Sequence, residues 1–414
     1  MSDFILFGDV ADFRNGLNFD KSSHGRGCLL IGVSDFKDNF KPQYETVKEI
    51  NPEGVAKEED YLKKGDLIFV RSNGNKKLVG RSMYIDQNIK ALYSGFCIRA
   101  RLKSDNVDPL FLSYFAKSKY FRMSIAKADG TNINNLNQGI LSAVKIPYIG
   151  LIEQRRIAHS LALIDEKIEL NNKINSELEA MAKLIYDYWF IQFDFPNTNG
   201  KPYKSSGGKM IYNEELKREI PEGWEGTTLG AIEQKIITGK TPSKTKAEYF
   251  GGPIPFITIG DIRGNTYIAH TAETLTEEGA ATQGNKYLPE DSICVTCIAS
   301  PGLVGFITTQ AQTNQQINSI VCKNEINKYY LYFAIKRYFS GAKAKSGNTF
   351  ANMNKDDFSS IPILKPSTQI LKNYHQDVSP IFQQIKVNSL ESKQMINLRD
   401  WLLPMLMNGQ VTVK

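Results

Sequence analysis

Five cysteines and four histidines in 414 residues leave little material for a disulfide framework or a metal centre. The odd, sparse cysteine set points to a reducing compartment. Cys294-Val295-Thr296-Cys297 has CxxC spacing, but no second pair of ligands stands at zinc-site spacing. The run Ser292–Ile298 reads instead as a buried strand in which Cys is a small hydrophobe. His24 falls in a loop and His270 in a polar stretch, while His159 and His375 stand one step from apolar helical positions. All four read as solvated or internally satisfied rather than catalytic.

Long hydrophobic runs are also missing: none approaches the ~18 residues that span a bilayer. The opening Met1-Ser2-Asp3-Phe4 lacks a basic leader and carries an early Asp, so no signal peptide is expected and the protein is expected in the cytoplasm, off the membrane. No Gly-x-Gly-x-x-Gly follows a strand, no serine sits in a nucleophile elbow, and no Asn-Pro-Pro-aromatic segment is present. Gly239-Lys240-Thr241 imitates the end of a phosphate-binding loop. Gln234 stands where that loop needs glycine, and Pro242 where its helix should begin. Asp165-Glu166-Lys167 reads as a solvated helix face with local ion pairing. These absences argue against a catalyst with its own cofactor or metal.

What is present is duplication. Gly130-Thr131-Asn132 recurs as Gly347-Asn348-Thr349, Ile146-Pro147 as Ile361-Pro362, and Leu78-Val79-Gly80 as Leu303-Val304-Gly305. A unit of about 200 residues is domain-sized, too long for a solenoid. The expected layout is a globule over 1–150, a long helix over 151–195, a linker and second globule over 196–366, and a second long helix over 367–414. Each globule mixes short strands with one helix. In the first, Leu29–Val33, Asp66–Val70 and Gly95–Ile98 read as strands, and Pro109–Met123 as a helix with Pro in its first turn. In the second, Phe256–Ile259, Asp291–Ala299 and Asn318–Cys322 read as strands, and a helix opens at Tyr329. With 41% hydrophobic and 23% charged residues the chain can bury two ordinary cores.

The helices carry the sharpest periodicity. Ile157, Leu161, Ile164, Ile168, Asn171, Leu178, Met181, Ile185 and Tyr188 are spaced by threes and fours. So are Tyr374, Val378, Ile381, Ile385, Asn388, Met395, Leu398, Leu402 and Met405, each 217 residues after its counterpart. One apolar seam per helix predicts a two-helix coiled coil about 55 Å long. Asn171 and Asn388 lie mid-seam. In an antiparallel pair they would face each other and set the register, or else sit solvated at the seam edge.

Basic and amide-rich loops recur at matching places. The first globule offers Lys21 and Arg26, then Arg71, Asn73, Lys76, Lys77 and Arg81, then Thr131, Asn132 and Asn134. The second offers Lys240, Thr241, Ser243, Lys244 and Lys246, then Ser300, then Lys343, Lys345, Asn348, Thr349 and Asn352. Lys and Arg neutralise phosphates, and Asn and Arg pair with base edges. A net charge of +7 is compatible with a polyanionic partner without requiring one. Such loops are commonly just solvated. It is their recurrence in both repeats that points to a nucleic acid.

Longer segments carry a resemblance. Gly239-Lys240-Thr241-Pro242, Tyr249–Phe256 and Gly260-Asp261-Ile262 resemble the opening of a target-recognition domain. Leu151-Ile152-Glu153-Gln154-Arg155-Arg156-Ile157-Ala158, Leu184–Phe190 with Phe193-Asp194, and Leu398–Gly409 resemble conserved helices of the same family. The chain therefore resembles the specificity subunit of type I restriction-modification systems over nearly its whole length. The first repeat departs from the pattern: Arg14-Asn15-Gly16-Leu17-Asn18 replaces Gly-Lys-Thr-Pro, and Ser34-Asp35-Phe36 replaces Gly-Asp-Ile. Before the second helix only Gln369 of the Glu-Gln-Arg-Arg signature remains.

The resemblance implies two α/β target-recognition domains joined by two long antiparallel helices. Together they would read a bipartite double-stranded DNA target without performing catalysis. It implies docking of two methyltransferase subunits that bind S-adenosylmethionine, joined by restriction-translocase subunits that use ATP and Mg, in the cytoplasm of a bacterium or archaeon. Two other readings stand beside it: a coiled-coil scaffold that does not read DNA, and an unrecognised enzyme such as a methyltransferase.

Overall fold

The computed structural model describes residues 3–19, 23–36, 39–75, 78–128, 135–346 and 352–412. It divides into two compact units, Met1–Glu166 with Met395–Lys414, and Lys167–Gln394.

In the first unit, strand Asp3–Leu6 pairs antiparallel with Lys145–Tyr148. A four-stranded antiparallel sheet runs in the order Ala11–Asn15, Cys97–Leu102, Leu67–Val70, Ser82–Tyr84. A three-stranded sheet, Glu49–Ile50, His24–Ile31, Ala91–Tyr93, pairs Leu29–Ile31 in parallel with Ala91–Tyr93. Side chains of Leu67–Val70 alternate between two cores. Leu67 and Phe69 join Phe111, Phe115 and Phe121, while Ile68 and Val70 join Ile31, Val47 and Tyr93.

Helix Pro109–Lys117 starts where Asp108 accepts from the N–H groups of Leu110 and Phe111, with Pro109 in its first turn. The single helix expected over Pro109–Met123 is broken at Ser118. That residue is extended, with φ −68° and ψ 153°, and its hydroxyl caps the following helix Lys119–Ala128 through Phe121 N–H.

The second unit repeats this plan strand for strand. Glu225–Thr228 pairs antiparallel with Pro362–Lys365. The main sheet runs Ile236–Thr238, Ile317–Ile320, Ile293–Thr296, Val304–Ile307, with Tyr267–Ile268 added at its edge. The smaller sheet runs Glu273–Leu275, Phe250–Ile257, Gln312–Thr313, the last pair again parallel. Even the irregularity recurs. His24 and Cys28 both oppose Ile50, and Phe250 and Ile254 both oppose Leu275. The register thus shifts at the same place in each copy. The second unit alone carries the hairpin Met210–Asn213 with Arg218–Pro221 among the described residues. Cys294 and Cys297 are buried, which pushes their thiols up to about 12 and about 11, far from thiolate reactivity.

The structure corrects two repeat matches. Phe7 N–H donates to Val144 O and Leu229 N–H to Ile361 O, with Leu6 opposite Lys145 and Thr228 opposite Pro362, so Ile361-Pro362 answers Val144-Lys145 and not Ile146-Pro147. Gly80 corresponds to Gly302, not Gly305. Gly80 N–H donates to Val70 O and Gly302 N–H to Thr296 O, both at 2.8 Å. Both glycines have positive φ, 78° and 87°. Each lies against a helix, where a Cβ would come within 2.3 Å of Ile125 Cδ1 or 2.4 Å of Phe339 Cβ. Gly305 sits in a strand opposite Cys294. The two hairpin loops differ in length, so a three-letter match slid past the true equivalence.

The long helices are Leu151–Phe190 and Thr368–Met407, 40 residues each. In the first unit Ile157 and Leu161 share a core with Leu402, Leu406 and Met407, and Arg399 donates to Asp165 at 2.8 Å. In the second unit Ala182, Ile185, Tyr186 and Trp189 share a core with Tyr374, Val378, Ile381, Phe382 and Ile385. In both units the start of one helix meets the end of the other, so the pair is antiparallel. Leu178 packs on the second unit's core, and Ile164, Ile168 and Met395 are half-buried.

Met181, Tyr188 and Leu398 leave the expected seam, being 52%, 38% and 41% exposed. Near its ends each helix packs on a globule as well as on its partner, and this rotates the buried stripe toward Ala182, Tyr186 and Phe382.

The mid-seam asparagines are buried, at 1% and 5% exposure, but their amides do not pair. Asn171 Nδ2 donates to Glu391 at 2.8 Å and Ser392 Oγ at 3.3 Å. Asn388 Nδ2 donates to Asn175 Oδ1 at 2.9 Å. Each asparagine reaches across to a residue one helical turn past its counterpart, which gives a crossed polar layer rather than a single amide pair.

Candidate DNA-recognition surfaces

The candidate loops hang from corresponding strand ends in the two units. The first loop leaves the strand Ala11–Asn15 or Ile236–Thr238. Gly16 N–H donates to Cys97 O and Leu17 N–H to Tyr93 O. Gly239 N–H donates to Ile317 O and Lys240 N–H to Thr313 O. A Cβ on Gly16 would lie 2.1 Å from Ser94 O, and one on Gly239 2.2 Å from Asn314 O. Gly16-Leu17 therefore fills the place of Gly239-Lys240. The first repeat keeps the backbone junction of the Gly-Lys segment and loses only its cation.

Beyond Gly239 the second unit presents a cationic arm. Lys240, Ser243, Lys244 and Lys246 are exposed and Thr241 is half-buried. Thr241 Oγ1 donates to Gln315 at 2.6 Å, and Ser243 meets Thr245 at 2.8 Å. Lys244 pairs with Glu273 at 3.4 Å, and Lys246 lies over the Tyr249 ring at 4.9 Å. The side chains of Lys240, Arg26 and Arg71 have no hydrogen-bond or ion-pair partner among the described residues. Exposed cations held on a structured loop can exchange water and counterions for phosphate.

The second loop is the hairpin after Val70 or Thr296. The segment after the third loop docks onto it identically in both copies: Leu136 N–H donates to Arg71 O at 2.8 Å, and Met353 N–H to Cys297 O at 3.1 Å. Asn73 is half-buried and accepts from Asn75 N–H at 2.8 Å, shaping its turn. Arg81 is half-buried, and Asn352 is exposed beside the docked segment. In the second unit Thr296 Oγ1 donates to Ser300 O at 2.5 Å and accepts from Leu303 N–H at 2.9 Å, holding Ala299 at φ 63°. Lys21, Lys76, Lys77, Thr131, Asn132, Asn134, Asn348 and Thr349 lie outside the described residues. Of Lys343 and Lys345 only the helical backbone is described.

One surface residue escaped sequence reasoning. Arg263 is exposed on the turn after Asp261 and donates to Ser300 Oγ at 3.3 Å, joining the hairpin loop from another element. Asp261 builds that turn by accepting from Thr258 N–H at 2.7 Å and Ala272 N–H at 2.9 Å. The Gly260-Asp261-Ile262 match was the available signal, since it marked a structured turn directly before an arginine.

Among the described residues no group of His, Cys, Asp and Glu could hold a metal ion, and no helix is long and apolar enough to cross a membrane. Two copies of one α/β fold, each presenting cationic and amide-bearing loops, define a duplicated recognition protein. The chain belongs to the type I restriction modification DNA specificity family, whose model matches residues 6–180 and 221–398. It is 30% identical over 475 aligned residues to the HindI specificity subunit of Haemophilus influenzae, covering 99% of this chain and 100% of that one. It is 28% identical to the MjaIX specificity subunit of Methanocaldococcus jannaschii over 76% of this chain and 71% of the relative. The fold is shared with a type I restriction-modification S subunit from M. genitalium, with TM-score 0.52, 14% identity, and 98% and 96% coverage. The chain is thus a DNA-specificity subunit, a recognition component and not the catalyst.

Proposed function

We propose that the two globules, residues 1–150 and 196–366, each read one half of a split double-stranded DNA target, with the paired long helices as the ruler between half-sites. The observation that carries this is the repeated topology with its loops at the same strand ends. A duplicated reader fits a target read twice. Half-sites on one DNA face lie about 34 Å apart per turn, and a 40-residue helix is about 60 Å long.

Lys21, Arg26, Arg71, Lys76, Lys77 and Arg81 contact phosphate or bases in the first half. Lys240, Lys244, Lys246, Arg263, Lys343 and Lys345 do so in the second. Asn73, Thr131, Asn132, Asn134, Thr241, Ser243, Ser300, Asn348, Thr349 and Asn352 supply hydrogen bonds.

Two methyltransferase subunits dock on the helices. Leu170, Ile174, Met181, Leu184 and Tyr188 leave an exposed apolar stripe on the first helix, and Val387, Leu398 and Trp401 leave one on the second. Leu170 and Val387, Met181 and Leu398, and Leu184 and Trp401 are counterparts in the repeat, as two equivalent partners require. Those partners bind S-adenosylmethionine and flip the target adenine. Restriction subunits using ATP and Mg complete the complex, in the cytoplasm.

Mapping N6-methyladenine across the source genome, with and without this gene, tests the reading. Loss of methylation at one split motif is expected on deletion. Unchanged methylation together with no DNA binding by the purified chain would leave a scaffold.

A further inference from the structure

The second unit contains a cavity of about 500 Å³ lined by Tyr186 and Phe190 of the first long helix, Tyr330, Arg337 and Tyr338 of helix Lys328–Ser346, and Arg218 of the extra hairpin. Its walls are mainly apolar, part aromatic and part aliphatic, yet two arginines line it and no acidic residue does. Arg218 stacks on the Phe193 ring at 5.3 Å. Burial and repulsion from Arg337 both weigh on it, and no carboxylate offsets them. Neither arginine has a hydrogen-bond or ion-pair partner among the described residues. Asp187, next along the first helix, is taken by Lys183. By contrast Arg14, Arg101 and Arg399 are each paired with a carboxylate. A partly buried guanidinium left unpaired is costly, and bidentate carboxylate pairing relieves that cost.

The cavity also faces away from the recognition loops. Ala334, Arg337, Tyr338 and Gly341 share one helical face, while Phe339, which backs Gly302 of the hairpin loop, lies on the opposite one.

We propose that this cavity is a docking pocket for a segment of a partner protein carrying a large apolar side chain flanked by carboxylates. The apolar walls suit the apolar anchor, and Arg218 and Arg337 suit the acids. It stands independently of how the loops read DNA.

The test titrates the peptide acetyl-Glu-Phe-Glu-amide into the full chain by calorimetry at low salt, with acetyl-Gln-Phe-Gln-amide as control. The acidic peptide is expected to bind at least tenfold more tightly than the control. Arg337→Gln, on an exposed helix face, should weaken it at least tenfold with an unchanged melting curve and unchanged DNA affinity. The double variant with Arg218→Gln should abolish binding. No binding by the wild type up to millimolar peptide, equal binding of the two peptides, or an unaffected Arg337→Gln would overturn the proposal. So would stoichiometric displacement of the peptide by a duplex, since the arginines would then serve phosphate.

Discussion

Asp291 shows how one side chain anchors an element. It holds an unusual positive φ of 62° and accepts from Lys328 and Lys386, both at 2.8 Å. It thereby ties helix Lys328–Ser346 and the second long helix to one strand end of the second unit. Burial alone would raise its carboxyl, but the hydrogen bonds and charges of the two lysines outweigh burial and hold it below the ordinary range. A carboxyl depressed in the folded state stabilises above its unfolded pKa near 4, and loses that stabilisation as pH falls toward the folded value. The melting temperature of the wild type should therefore drop as pH falls below about 4, and Asp291→Asn should flatten that limb while lowering stability at pH 7. Gly16 and Gly239 give a second test. An alanine at either would drive a methyl group into a carbonyl oxygen, so each substitution should cost about 1–3 kcal/mol in urea denaturation. The sequence sets the Gly16 segment in the place of Gly239-Lys240-Thr241-Pro242, and the shared backbone junction fixes Gly16 on Gly239.

The long helices were the most legible elements, because a seam repeated at 217 residues leaves few alternatives. Their antiparallel pairing was implied by the family resemblance, but the partners of Asn171 and Asn388 were not. Hydrogen-bond geometry across a seam depends on side-chain reach: Asn171 Nδ2 meets Asn388 only at its backbone O, at 3.4 Å, and finds Glu391 and Ser392 at 2.8 and 3.3 Å. Asn171→Leu should leave Ser392 without its cross-helix donor and cost about 1–3 kcal/mol in chemical denaturation. Asn171→Leu with Asn388→Leu should recover part of that loss while relaxing register, read by disulfide trapping of cysteine pairs placed one turn apart. Full retention of both stability and register would remove the asparagines from any specifying role. Helix Pro109–Met123 was misjudged because apolar spacing runs straight across Ser118, whose hydroxyl makes a cap that periodicity cannot reveal.

For the whole molecule, duplication predicts that the two cation sets act separately. Arg26→Ala with Arg71→Ala should weaken binding to a split target without altering the preference for the other half. Lys240→Ala with Lys244→Ala should do the converse. Each lost phosphate contact should lower the slope of log affinity against log salt by about one, measured by fluorescence anisotropy. Unaltered affinity and slope in both double variants would place DNA elsewhere. By itself the sequence determined the class of fold, the existence of the repeat, the two long helices and the family, because periodicity, spacing and long shared segments are properties of the chain. Only the tertiary structure decided that Gly302 answers Gly80, that Leu136 and Met353 dock on their hairpins, that Arg263 joins Ser300, and that Arg218 and Arg337 meet in one apolar cavity. Those outcomes depend on contacts between residues remote in the chain, which no local pattern records.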